Sequence, residues 1–245
     1  MRFAIFSDIH GNAVALDACL ADLRERGWAD VIVAAGDLCM DGPRPKKVLK
    51  RLEQVGALCL RGNTDRMIGA EALQSLDADD ARAALWAREQ IGDARTAMLG
   101  GLPFSLTFGD GPDGLYVCHA NPQADDVHLR PDAGDALLES LFSGVTQRAI
   151  AFGHLHLAYT RMWRDRLLVN VASTGLPKDG DAHAHYAILT RRDGGWEVQE
   201  RRVAYDVERV VRQIRRSTMP DPAALIETLR RHRYPWLGKP GEVIP

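Results

Sequence analysis

Five times along the chain an apolar run stops at a residue able to donate a lone pair to a metal. RFAIF leads to Asp8 and His10, VIVAAG to Asp37, ALCLRG to Asn63, LYVC to His119, and AIAFG to His154 and His156. Runs that are apolar at consecutive positions suit strands covered on both faces, since a half-exposed strand would alternate. If each run is a strand, its polar terminus lies at the strand's carboxyl end, where open α/β sheets bind ligands. Such a fold gathers residues separated by tens of positions at one rim. AIAFGHLHLA poses the local question: two imidazoles one residue apart share a face only if the chain is still extended. The reading here is that Gly153 lets the chain turn, so that the rings fan out around a common point.

Between the runs the pattern is helical. Asn12 is placed to cap AVALDACLADLRERG, PKKVLKRLEQVG forms a second helix, and together with the strands they predict β-α-β-α-β with a parallel sheet. Helical periodicity continues from Thr64 to Gly101, with DADDAR at a helix start. SLTF and LYVCHA flank the turn-forming GDGPDG, and RLLVNVAS, AHYAILTR and WEVQERRV predict an antiparallel meander. DVERVVRQIRRS and PAALIETLRRH predict two closing helices, the second with Asp221 as N-cap and Pro222 at its first position. The expected division is a main domain over residues 1–205 and a helical appendage over 206–245 packed on or near it.

Charge and cysteine usage narrow the setting. A net charge of −2 supplies no basic field to collect a nucleic acid polymer or an anionic membrane. No stretch reaches the roughly 20 apolar residues of a membrane span. The opening MRFAIFSDIHG is too short and too soon acidic for a signal peptide, and a cytoplasmic location is expected. Cys19, Cys39, Cys59 and Cys118 lack CxxC spacing and are expected to be reduced thiols. Cys39 and Cys118 are expected to pack strands, not bind metal. A homo-oligomer remains open.

Asp8, His10, Asp37, Asn63, His119, His154 and His156 are more donors than one ion needs. They suit two ions roughly 3.5–4 Å apart that share a carboxylate. Mixed imidazole and carboxylate favours manganese, iron, cobalt, nickel or zinc over calcium or magnesium, and manganese is the expected ion.

In their order and spacing, Asp8-Ile9-His10, Gly36-Asp37, Gly62-Asn63-Thr64-Asp65, His119 and Gly153-His154-Leu155-His156 resemble the motifs of the calcineurin-like metallophosphoesterases. SDIHGN, GDLCMDGPRP, HANP and VNVASTGLP are similar to segments of the small YfcE-like prokaryotic phosphodiesterase branch. The resemblance implies an α/β fold, a four-layer α-β-β-α sandwich with mixed sheets. It implies one metal on Asp8, His10, Asp37 and His156 and a second on Asp37, Asn63, His119 and His154, with Asp37 bridging. Asp37, Asn63, Asp65 and His119 would be the catalytic positions, and a hydroxide between the ions would attack phosphorus in line.

Thr64 stands where many members carry a histidine that protonates the leaving group, a role worth about 10²–10⁴-fold. Arg44 and Arg66 lie near the motif loops and are candidate contacts to a substrate phosphate, with a solvated or paired arginine equally open for each. His183 and His185 form another H-x-H, read as a strand edge, and His128 and His232 read as surface residues. The Arg-rich closing helices read as solvated faces, and Trp236 sits in a Pro/Gly-rich end that either docks on the body or meets another subunit.

The expected function is a dinuclear metal-dependent phosphoesterase acting on a small phosphate ester, with phosphodiesters favoured. The alternatives are a phosphomonoesterase or serine/threonine protein phosphatase, a dinucleoside polyphosphate hydrolase and, ranked low, a non-catalytic metal-binding scaffold.

Overall fold

The computed structural model describes residues 1–232 apart from 71 and 172. Its first half alternates: β1 (Arg2–Phe6), α1 (Ala13–Glu25), β2 (Val31–Ala35), α2 (Pro45–Gln54), β3 (Leu58–Leu60) and α3 (Asn63–Gly69). Two helices, α4 (Ala78–Ile91) and α5 (Asp93–Gly100), precede the hairpin of β4 (Ser105–Phe108) and β5 (Leu115–Cys118). A short helix, α6 (Asp135–Leu141), leads to β6 (Ala149–Phe152), β7 (Tyr159–Trp163), β8 (Arg166–Asn170), β9 (Ala184–Arg192) and β10 (Gly195–Val203). The helices α7 (Val207–Arg215) and α8 (Pro222–Arg231) follow. The segment carrying Trp236 lies outside the described residues.

Local chemistry sets several boundaries. Asn12 Oδ1 accepts the Ala15 N–H at 3.1 Å and so starts α1. Asp77 does the same for α4, accepting from Asp79 and Asp80 at 2.9 Å each. Pro45 and Pro222 occupy first-turn positions, where a missing N–H costs nothing.

The strands form two five-stranded mixed sheets, ordered β10-β9-β1-β2-β3 and β4-β5-β6-β8-β7. β1 pairs parallel with β2, which pairs parallel with β3, as the alternation requires. Phe3, Ile5, Val33, Leu115, Val117, Ala149, Ala151 and Val169 form one apolar cluster where the two sheets meet. The alternate residues Ala4 and Phe6 face a second cluster with Leu16, Leu23, Val48, Leu52 and Ile188. Ile150 and Phe152 face a third with Leu138, Phe142 and Trp163. Helix, sheet, sheet and helix therefore stack as four layers, and each central strand is buried on both faces. Val210 and Ile214 of α7 and Leu229 of α8 join the cluster that α1 faces.

The meander expected from RLLVNVAS onward does not form. β9 and β10 do pair antiparallel, but β8 lies in the other sheet, parallel to β6 and antiparallel to β7. An apolar run buried on both faces carries no mark of which neighbour it pairs with, so short spacing to β9 was a poor guide. β7 and α6 also lie in stretches without clean apolar periodicity; β7, the edge strand of its sheet, reads YTRMW and leaves Thr160 and Met162 exposed. The link from β8 to β9 crosses between sheets and touches the loop after β1. Thr174 N–H donates to Ser7 O at 2.9 Å and Gly175 N–H to Asp8 O at 3.0 Å. Ser173 Oγ also donates to Asp8 O at 2.8 Å.

Candidate metal centre

The ends of β1, β2, β5 and β6 and the start of α3 converge, and with them the candidate ligands. Asp8, His10, Asp37, His119 and His156 are buried, while Asn63 and His154 are partly exposed. Two groups have ligand atoms within 4.8 Å of one another: Asp8, His10 and His156, and Asp8, Asp37, His119 and His154. Asn63 joins the second, its Oδ1 3.2 Å from His119 Nε2.

Most of these residues take backbone angles that side chains usually avoid. Asp8, His10, Asp37, His154 and His156 have φ of 53°, 45°, 54°, 65° and 58°. Left-handed non-glycine residues cost of order 1–3 kcal/mol each and gather where function over-determines the backbone. The turn after β6 is thus made by the histidines themselves. Gly153 has a different role from the one expected: it is not left-handed, and a Cβ there would collide with Ser7 Oγ and Asp8 Oδ2. Glycine is needed because β6 passes against the Asp8 loop.

The rings are aimed by backbone carbonyls. His10 Nδ1 faces Met40 O at 3.1 Å, His119 Nδ1 faces Ala35 O at 2.8 Å, and His156 Nδ1 faces Leu176 O at 2.5 Å. A carbonyl only accepts, so each Nδ1 carries a proton, and each ring when neutral would offer its Nε2 lone pair to an ion. Those lone pairs point at other acceptors. His156 Nε2 lies 3.1 Å from Asp8 Oδ1 and 3.3 Å from His10 Nε2. His119 Nε2 lies 3.4 Å from Asp37 Oδ1, and His10 Nε2 lies 3.7 Å from Asp37 Oδ2. Asp8 Oδ1 is buried with no hydrogen-bond partner among the described residues.

Electrostatics agree with a site built for cations. Burial alone would raise Asp8 and Asp37, yet His156 and His119 respectively, with further histidines, hold both well below the usual carboxylate range. Burial would lower His119, but Asp37 and Asp8 pull it up to about 10. The carboxylates thus demand positive charge, which a proton on His119 or a metal ion can meet. Burial keeps His10 and His156 lowered and takes His154 to about 4, which leaves them neutral, the form that binds metal. The residues present therefore fit divalent ions.

A model of the calcineurin-like phosphoesterase superfamily domain matches residues 1–194. The chain belongs to this family. Membership implies a phosphoester hydrolase that uses divalent metal ions. This calcineurin-like phosphoesterase is 28% identical over 232 residues to the uncharacterized protein MJ0912 of Methanocaldococcus jannaschii, covering 89% of this chain and 93% of that one. It is also similar to a metallophosphoesterase from Sphaerobacter thermophilus, with 26% identity, a TM-score of 0.77, and 95% of this chain and all of that one covered (100%). PH1004 from Pyrococcus horikoshii OT3 shares the fold at 19% identity and TM-score 0.82, with 93% of this chain and 97% of that one covered.

Other candidate residues in this phosphoesterase lie outside the ligand groups. Asp65 accepts Leu38 N–H at 3.0 Å and Gly62 N–H at 3.1 Å, bracing the loops that carry Asp37 and Asn63. Burial, then Asp37, raises it to about 7. Arg66 forks onto Asp125 and reaches Asp126, both at 2.9 Å, and Arg44 is an exposed N-cap of α2. His183 pairs with Asp181, and the buried His185 lies 3.7 Å from Asp179, apart from the centre. The four cysteines are free thiols.

Two residues with no motif to mark them reach the rim. His128 is exposed as expected, yet its ring lies 4.4 Å from that of His154. Lys178, in the link after β8, feels Asp8, Asp41 and Asp37 together, although burial lowers its pKa. Among the described residues no helix is long and apolar enough to cross a membrane.

Proposed function

We propose that this chain is a dinuclear metal-dependent phosphodiesterase. The observation that carries the reading is the convergence of three imidazoles, each anchored at Nδ1 by a backbone carbonyl and turning Nε2 inward, on two buried carboxylates. Asp8, His10 and His156 would hold one ion and Asn63, His119 and His154 the other, with Asp37, whose Oδ1 faces His119 and whose Oδ2 faces His10, shared between them. Such a pair of ions, with manganese the favoured metal and iron, cobalt, nickel or zinc also suited, would lower the pKa of a water between them and neutralise charge on the phosphoryl oxygens.

The chain's own residues do the rest. Thr64 N–H donates to Asp37 Oδ1 at 3.0 Å, so the start of α3 fixes the bridging carboxylate. His154 N–H fixes Asp8 in the same way at 2.9 Å. Thr64 supplies no proton to a departing alkoxide, which favours diesters with good leaving groups over alkyl monoesters.

The test is hydrolysis of an aryl phosphodiester and an aryl phosphomonoester by manganese-loaded protein, with bound metal counted in parallel. Two ions per chain and faster diester turnover are expected, with both lost in Asp37→Asn. A faster monoester rate would make the chain a phosphomonoesterase, and wild type that never binds two ions would overturn the reading altogether.

A further inference from the structure

Beside the candidate metal centre lies an open cavity of about 250 Å³ lined by the Asp41 loop, the start of α4, the link after β8 and α8. Asp41 and Lys178 belong to both places. Asp41 Oδ2 lies 3.9 Å from His10 Nδ1, and Lys178 N–H donates to His156 O at 3.2 Å. Lys178 thus lines the cavity while its backbone is tied to a residue of the centre, which puts a cationic side chain at the boundary between the two.

Away from Lys178 the wall changes character. Leu176 and Leu225 supply apolar surface, and Asp80 and Asp221 add negative charge. The one arginine on this wall, Arg82, is paired with Asp79 at 2.5 Å. The volume falls just under the roughly 300–1,000 Å³ of typical ligand pockets. A small alcohol fits such a space, whereas a nucleoside bearing further phosphates meets both too little room and repelling carboxylates.

We propose that Lys178 holds a non-bridging phosphoryl oxygen and that the cavity receives the organic group of a phosphodiester made with a small, uncharged or cationic alcohol. This rests on the phosphodiesterase reading and narrows it, since it disfavours dinucleoside polyphosphates and nucleotides.

Three aryl diesters with one leaving group separate the possibilities: the p-nitrophenyl esters of methyl phosphate, phosphorylcholine and thymidine 5′-phosphate. Wild type should favour the phosphorylcholine ester over the thymidine ester by about tenfold in kcat/KM. Ala224→Trp, at an exposed position of α8 that lines the cavity, should cost the phosphorylcholine ester about tenfold more than the methyl ester. Lys178→Gln should weaken inhibition by inorganic phosphate about tenfold. Equal losses on all esters in Ala224→Trp, or unchanged phosphate inhibition in Lys178→Gln, would overturn the proposal.

Calorimetric binding of phosphorylcholine to wild type and Ala224→Trp is the readout that does not need turnover. Tighter binding to wild type supports the cavity even if no diester is cleaved, an outcome that would fall on the phosphodiesterase reading instead. No binding to wild type overturns the cavity assignment itself.

Discussion

The backbone N–H of His154 donates to Oδ2 of Asp8 at 2.9 Å, across 146 positions of sequence. A candidate ligand from the end of β6 thereby orients another from the end of β1, and the remaining oxygen of Asp8 is left facing His156. Each half of the centre sets the geometry of the other.

Gly153 makes that approach possible, and its replacement is the sharpest test. Gly153→Ala drives a methyl into Ser7 and Asp8. Overpacking of this kind costs about 1–3 kcal/mol, read as a lower denaturation midpoint. Bound metal and diester turnover should fall together with it. Normal metal content in a destabilised variant would show that Asp8 can move aside without losing its role.

Arg66 is expected to matter for stability, not for substrate. Asp125 is 6% exposed, and removing its forked partner leaves, among the described residues, the cation of Arg61 with Nε at 3.5 Å. Arg66→Ala should therefore lose on the order of 2 kcal/mol, a fall in Tm of about 4–8 °C for a chain of this size. KM for an aryl diester should stay within about twofold of wild type, since no contact to the centre is lost. A large rise in KM with an unchanged Tm would return Arg66 to the phosphate-binding role.

Thr64 offers a gain-of-function test. It sits in the first turn of α3, 5% exposed, and its Oγ1 has no hydrogen-bond partner among the described residues. Thr64→His should raise turnover of alkyl diesters by about tenfold or more and leave aryl diesters nearly unchanged, because only poor leaving groups need a proton. Equal gains on both substrate types would contradict a leaving-group role.

Acid should weaken the joint between α1 and the second half of the first sheet. Asp22 accepts from Tyr186 at 2.7 Å, Arg201 at 3.0 Å and Arg26 at 3.1 Å. Burial would raise its pKa, but Arg201, Tyr186 and Arg26 hold it at about 2, below the ordinary 3.8. The folded value is depressed, so the stabilisation is full above the ordinary value and disappears as pH falls through about 2. Asp22→Ala should cost about 1 kcal/mol near neutrality, and the gap to wild type should close in urea titrations as pH drops from 4 toward 2.

Much of this was legible in the residues. Unbroken apolar runs marked strands buried on both faces, and Asn12 and Pro222 marked helix starts where they occur. The donors at the run ends were legible because a strand's end has a fixed place on a sheet. What was not legible depends on pairing and on loops. Nothing in RLLVN says that it joins β6 and not β9, since both partners offer an apolar face. Lys178 and His128 approach the rim only through the paths of irregular segments, and neither has a periodicity or spacing to announce it. Gly153 was picked out correctly but for a different reason: its neighbours in space, Ser7 and Asp8, cannot be inferred from its neighbours in sequence.

The place of β1 has a consequence for how the chain is born. Its strand partner on one edge, β2, leaves the ribosome soon after it, but on the other edge Ala4 waits for Ile188. Until then a central, largely apolar strand has an unsatisfied row of backbone groups, and Asp8 lacks both His154 and the 173–175 link that hold it. Synthesis must therefore pass β9 before the centre can be assembled, so a site that begins within the first ten residues waits for a strand made some 180 residues later.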